Sequence, residues 1–413
     1  MSQGRLIQTN AAMLVGLQIL NYLLPFLLIP ILIRRLGLDH FGIWALAMSI
    51  VSVLRTVVAY GFDLSAARDI AQRPKDAELA GDLLGSIGAL RLLFLVLPGA
   101  LLALAAPWSG LAGIDTPLIA LSVATLIGDA LAPVWLFHGH GDLPLANALR
   151  IASRLVMLVL VLAFVKGPSD LLLVPAIEAV TSLLYCIVAV GVAARRYRID
   201  EVRVRFESVC RGLAAGLHIF IANASVHSYT TLNGILLGAL LGPVVYAHYA
   251  VAEKIYFGVR GLIQTAVQAV FPLLAHLSAH DGTGYRRMAR RLLAWYFGFC
   301  GAAALALTIG APLAIRIVAG AADPTAVSSM RAFAIALLFS GGGVFATLHI
   351  AQDQPKHLSA ITAVTVAANL LAIWPLVSAF GAVGAVAAFL LAQAVQTVIY
   401  LRVNARLLSP TAH

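Results

Sequence analysis

Residues 36–50 read LGLDHFGIWALAMSI and residues 241–255 read LGPVVYAHYAVAEKI. Laid together at an offset of 205 residues, Leu36-Gly37 meets Leu241-Gly242, Phe41 meets Tyr246, and Trp44-Ala45 meets Tyr249-Ala250. Ala47 then meets Ala252, and Ile50 meets Ile255. Further on, Arg55 falls opposite Arg260 and Ala106-Pro107 opposite Ala311-Pro312. Near the ends of the halves, Glu178-Ala179-Val180 with Tyr185 is matched by Gln393-Ala394-Val395 with Tyr400, now at an offset of 215. Small and aromatic residues coincide by chance in apolar segments, so each line alone is weak. Several lines at nearly one offset indicate a duplicated unit.

Around these echoes the chain is apolar almost throughout. Hydrophobic residues make up 61% of the 413 and charged residues 11%, against about 25% charged in a soluble domain. A helix needs about 20 apolar residues to cross the hydrocarbon core. On that ruler about twelve spans fit, from 11–33 to 382–405. The runs do not alternate as the strands of a membrane β-barrel do. The first run is too long for a signal-peptide core and lacks a small-residue cleavage site, so it is expected to stay as an anchor. The expected fold class is an all-α polytopic membrane protein: a lobe over 1–194, an Arg-rich connector over 195–212, and a second lobe over 213–413. With six spans in each half, both lobes enter the membrane in the same direction. That is a parallel repeat about an axis along the membrane normal, as in transporters that rock two bundles around a central site.

Basic residues in short loops are retained on the cytoplasmic side. With the N-terminus inside, 19 of the 28 Lys and Arg lie in inside segments and five at outside ends. Both termini are therefore expected in the cytoplasm, in a multi-pass protein of the bacterial inner membrane. The net charge of +10 is then mostly topogenic and points to no nucleic acid. No expected outside loop exceeds about a dozen residues, which leaves no room for the extramembrane domain of a glycosyltransferase or protease. Cys186, Cys210 and Cys300 fall in spans or an inside loop, where no disulfide is expected.

A charged residue within a span costs about 2.5–3.5 kcal/mol even on the lenient insertion scale, so it usually faces a cavity or a partner. Arg55 and Arg260 occupy equivalent places in the two halves, which favours a shared cavity over snorkelling to an interface. Glu253, Phe257, Arg260, Gln264 and Gln268 are spaced four, three, four and four apart, on one helical face. Asn223, His227 and Thr230, with Asn233 nearby, make a similar run, and Gln18, Asn21 and Pro25 share a face of the first span. These read as water-facing walls, with interhelical hydrogen-bonding as the alternative for single residues. Asp129, Glu178 and Glu253 are intramembrane carboxylates, the usual seats of proton relays. A static ion pair with Lys254 or a cavity arginine is the other reading.

Leu36-Gly37, the Phe41-Gly42-Ile43-Trp44 element and the stretch from Tyr60-Gly61-Phe62-Asp63 to Arg68-Asp69-Ile70-Ala71 resemble the Wzx-type O-antigen flippases. These belong to the multidrug/oligosaccharidyl-lipid/polysaccharide exporter superfamily, with a MATE-like exporter fold. The span count and repeat agree along the whole chain; the motif covers only about residues 34–71. The resemblance implies translocation of undecaprenyl-diphosphate-linked oligosaccharide from the inner to the outer leaflet by alternating access, with surface-polysaccharide polymerase and chain-length regulator proteins as partners. It implies no cofactor and no covalent chemistry, with coupling to a proton or sodium gradient through Asp129, Glu178 or Glu253. Guanidinium groups grip phosphate oxygens in a bidentate fork, so Arg55 and Arg260 are expected to hold the diphosphate, with Arg91 nearer the entrance. Asn21, Asn223, His227, Gln264 and Gln268 would line the sugar path, while the polyprenyl tail stays among the membrane lipids. Asp63, Arg68 and Asp69 would form a cytoplasmic gate, or simply a charged helix end. Rival readings are a multidrug exporter of the same superfamily, a lipid II flippase, which generally carries two extra spans, and a membrane-embedded glycan-assembly enzyme. The last would need an acid/base or metal cluster that the sequence does not show.

Overall fold

The computed structural model describes the backbone of residues 3–111, 113–352 and 356–404, and side chains over the same ranges apart from residues 3–25, 215, 218, 222, 272 and 356–359. Its helices are α1 (Gln3–Ala59), α2 (Phe62–Gln72), α3 (Ala77–Ala105), α4 (Thr116–Leu131), α5 (Val134–Gly139), α6 (Leu143–Phe164), α7 (Leu173–Tyr197), α8 (Phe206–Thr230), α9 (Leu232–His280), α10 (Gly282–Ala319), α11 (Pro324–Leu338), α12 (Gly342–Ala351) and α13 (Lys356–Val403). Among the described residues nine helical runs are long and apolar enough to cross a membrane. Three of them are broken at a glycine, Gly37, Gly242 or Gly381, so each holds two crossings. The chain is a polytopic all-α membrane protein with about twelve crossings.

The breaks at Gly37 and Gly242 are the first pair of the repeat. Their backbone angles are φ 80°, ψ 162° and φ 86°, ψ 170°, a region open essentially to glycine alone. Both halves therefore turn back on themselves at the same sequence position in the same conformation. Several helix starts are built from aspartates. Asp76, Asp115, Asp281 and Asp323 each accept backbone N–H groups of the following turn, at 2.7–3.2 Å, a cap that contributes about 1 kcal/mol.

The chain forms two compact units, Met1–His227 and Ser228–His413. In the first, α4 packs closely on α7 and α3, and α1 runs against α3, α4 and α6. Phe62, Ile70, Leu83, Leu90, Trp135 and Phe137 are among the buried residues of its core. The segment after α7 is laid along α3: Arg203 N–H donates to the Gly81 carbonyl at 3.4 Å and Arg205 N–H to Ser86 Oγ at 3.1 Å. Arg205 Nε pairs with the buried Asp82 at 2.9 Å, and Arg205 and Arg203 both reach Glu78. In the second unit, α9 packs on α10, α11, α12 and α13 around an aromatic core. Tyr256 stacks on Phe333 at 5.1 Å and meets Phe389 edge-on at 5.5 Å.

Candidate functional site

The first unit contains an open cavity of about 100 Å³, and four helices supply its walls. α1 contributes Arg55, and α4 contributes Thr125 and Asp129, one turn apart. On α6, Arg150, Ser153, Arg154 and Met157 recur at the spacing of one helical face, and on α7 so do Glu178, Thr181, Ser182 and Tyr185. Short side-chain bonds hold these walls in register. Ser182 Oγ donates to the Thr125 carbonyl across α4 and α7 at 2.7 Å, and Ser153 Oγ to the Thr181 carbonyl across α6 and α7 at 3.0 Å.

Five charges face this space, three guanidiniums and two carboxylates. Arg55 Nη1 lies 2.9 Å from Asp129 Oδ2, with the Arg55 side chain 47% exposed. Arg150 sits over the Tyr185 ring, 5.8 Å from its centroid. Arg154 lies in the fields of Arg55, Arg150, Asp129 and Glu178. Glu178 keeps one carboxylate oxygen buried with no hydrogen-bond partner. Guanidiniums outnumber carboxyl groups three to two among apolar helices, with Ser, Thr and Tyr hydroxyls around them. Such a lining offers charge-assisted donors to an anion and neutral donors and acceptors to hydroxyl groups.

The sequence-predicted residues fall in different places. Arg55, Asp129 and Glu178 are brought together in this cavity. Arg91 is not among its lining residues: it is 3% exposed, pairs with Asp63 at 2.9 Å and donates to the Ala130 carbonyl at 3.1 Å, over the Phe62 ring. Arg68 points outward and lies 3.7 Å from its neighbour Asp69. His227 is half-buried and feels Arg55, whereas Asn223 is exposed. The side chains of Gln18, Asn21 and Pro25 lie outside the described residues.

Within the second unit, Arg260 is surrounded by Tyr229, Tyr256 and Tyr296, and among the described residues no carboxylate pairs with it. Glu253 is buried, 3.8 Å from Lys254. Gln264 is half-buried beside Gly343, while Gln268 is exposed. Asn233 is interhelical glue: its amide and that of Asn369 exchange hydrogen bonds at 3.0 and 2.7 Å.

Arg150 and Arg154 are the residues that sequence reasoning missed. Counted only among the basic residues of the inside segments, they stand within α6, which begins at Leu143 directly after Asp142. The signal was available. Pro144 marks a first helical turn, and four-residue spacing puts both arginines on one face of the helix that begins there.

These features define a polytopic membrane protein of the exporter fold. Along 95% of its length the chain superposes on 86% of the lipid II flippase MurJ in an inward closed conformation, with TM-score 0.72 and 14% identity. It also superposes on 96% of an inward-facing multidrug resistance MATE family transporter of the MOP superfamily, covering 95% of this chain with TM-score 0.66 and 15% identity. The chain belongs to the polysaccharide biosynthesis protein family, whose model matches residues 7–278. Over 397 residues, 96% of each chain, it is 25% identical to a protein of Escherichia coli (strain K12) named "Putative O-antigen transporter".

Proposed function

We propose that this protein is a transporter of the bacterial cytoplasmic membrane that carries a lipid-linked oligosaccharide, joined through a diphosphate, from the inner to the outer leaflet by alternating access. The observation that carries the reading is the cluster of Arg55, Arg150 and Arg154 in one intramembrane cavity, where cations outnumber carboxylates. A diphosphate is a compact dianion that hydrocarbon excludes, and a fork of guanidiniums replaces its water. Family membership and the O-antigen name of the E. coli relative support the same cargo. They also favour a transporter over an enzyme of glycan assembly. A carrier of organic cations would be expected to place acids in excess at such a point, and here the excess is cationic. Arg260, held among tyrosines, gives the second unit a cation of its own. Asp129, Glu178 and Glu253 are the groups through which a proton or sodium gradient would drive the cycle. The export route would hand its cargo to a polymerase and a chain-length regulator.

The test uses a strain lacking the gene. The expected result is loss of long chains from the surface-polysaccharide ladder, with accumulation of the lipid-linked unit on the cytoplasmic side. Complementation by wild type should restore the ladder. Arg55→Ala and Arg154→Ala proteins, inserted at normal levels, should restore little of it. An unchanged ladder in the deletion strain, together with raised drug sensitivity, would replace this reading with small-molecule export.

A further inference from the structure

One face of α10 is unlike the cavity and unused by it. Arg287, Arg291, Trp295 and Phe299 follow one another at four-residue spacing, which stacks them along a single side of the helix. All four are exposed, the two rings at 43% and 48%, and the rings stack on each other at 5.7 Å. Farther along the same helix the exposed residues are aliphatic, Leu305 and Ile309 among them. The face thus runs from cations through aromatics to hydrocarbon. From Arg287 to Phe299 the rise is about 18 Å at roughly 1.5 Å per residue.

We infer that this stripe is a binding site for an anionic phospholipid, with the phosphate on Arg287 and Arg291 and the upper acyl chain against Trp295 and Phe299. Charge complementarity identifies the occupant. Among the described residues, the charged and titratable groups on the elements that meet at this end of α10 include Arg286, Arg290 and Tyr285 on α10, His276, His280 and Asp281 before it, and His349 on α12, whose Leu348 carbonyl accepts from Tyr285. The single acid among them is already engaged, its Oδ1 accepting from Thr283 N–H, Thr283 Oγ1 and Gly284 N–H. Clustered arginines at a membrane surface attract anionic headgroups, and aromatic rings settle at the headgroup level. An arginine retained only for topology needs neither an outward stacked ring pair nor a common face with one.

The experiment is a native mass-spectrometric titration of the full-length detergent-purified protein with phosphatidylglycerol and with phosphatidylcholine. Wild type should retain phosphatidylglycerol in preference. Arg287→Ala with Arg291→Ala should weaken that retention on the order of tenfold, while Arg195→Ala with Arg198→Ala, which removes equal charge from exposed arginines at the end of α7, should leave it. Equal loss in both pairs would show bulk attraction only and overturn the site, as would an absence of preference in wild type. Should the alanine pair not fold, quenching decides. Brominated phosphatidylglycerol should quench wild type more than Trp295→Phe, and more than brominated phosphatidylcholine does; equal quenching by the two lipids would overturn the proposal.

Discussion

Arg55 and Arg91 look alike in the sequence, each a lone cation in an apolar run, and the structure gives them opposite surroundings. Arg91 is enclosed, its charge balanced by Asp63 from the start of α2 and its Nη1 given to the Ala130 carbonyl near the end of α4. It joins three helices. Removing it leaves the Ala130 carbonyl without its donor and Asp63 without its counter-charge, so Arg91→Ala is expected to cost about 2–4 kcal/mol. A clear fall in thermal midpoint in detergent would show it, whereas Arg55→Ala should stay near the wild-type midpoint and lose export. The difference was invisible in the sequence because both partners of Arg91 come from elsewhere along the chain. The same holds for Arg150 and Arg154, whose role depends on Asp129 and Glu178 arriving from α4 and α7. A pH effect belongs to this scale too. Asp142, outside the spans, accepts from Arg196 at 2.8 and 3.0 Å and from Tyr197 at 2.7 Å, and the Arg196 guanidinium first of all holds its carboxyl below the usual range. A lowered carboxyl stabilises the fold above its ordinary pKa, and that contribution disappears as pH falls through the lowered value. Asp142→Asn should therefore lower the thermal midpoint at neutral pH, and the gap to wild type should close below about pH 4.

At the scale of elements, the connector after α7 shows how an apparently loose, Arg-rich stretch becomes ordered. Its charges were legible as topogenic, but its docking was not, because it rests on two glycines in another helix. A β-carbon at Gly81 would run into the Glu201 carbonyl, and one at Gly85 into the Arg203 carbonyl. The bare faces of these glycines let the segment lie against α3, and Glu78 and Asp82 on the same helix then take up Arg203 and Arg205. Gly85→Val should displace the segment and lose its protection. Limited proteolysis between residues 198 and 205 is the measurement: faster cleavage than wild type is expected, and an unchanged rate would mean the segment is held by its ion pairs alone. The breaks inside α1 and α9 obey a different rule. Nothing lies within 4 Å of a β-carbon at Gly37 or Gly242, so backbone conformation and not space selects glycine there. The repeated Leu-Gly was readable as an echo; only the dihedral angles reveal that it marks a turn.

For the whole molecule, composition and span length sufficed for the class, because an apolar helix long enough to cross a bilayer has few other homes. The six-plus-six order is the sequence's own expectation; the chain does divide into two compact units, but between His227 and Ser228. Orientation rests on parity. Among the described residues the helices before the connector offer six crossings: two in α1, then α3, α4 with α5, α6 and α7. We propose on that count that the connector lies on the side of the N-terminus, and the expected excess of basic residues in inside segments would put that side in the cytoplasm. Cys210 reports on it. It is exposed at the start of α8, while Cys186 and Cys300 are buried. A membrane-impermeant maleimide should label the protein in inside-out vesicles and not in intact cells, with Cys210→Ser removing the signal. Labelling in intact cells would place the connector outside and overturn this orientation.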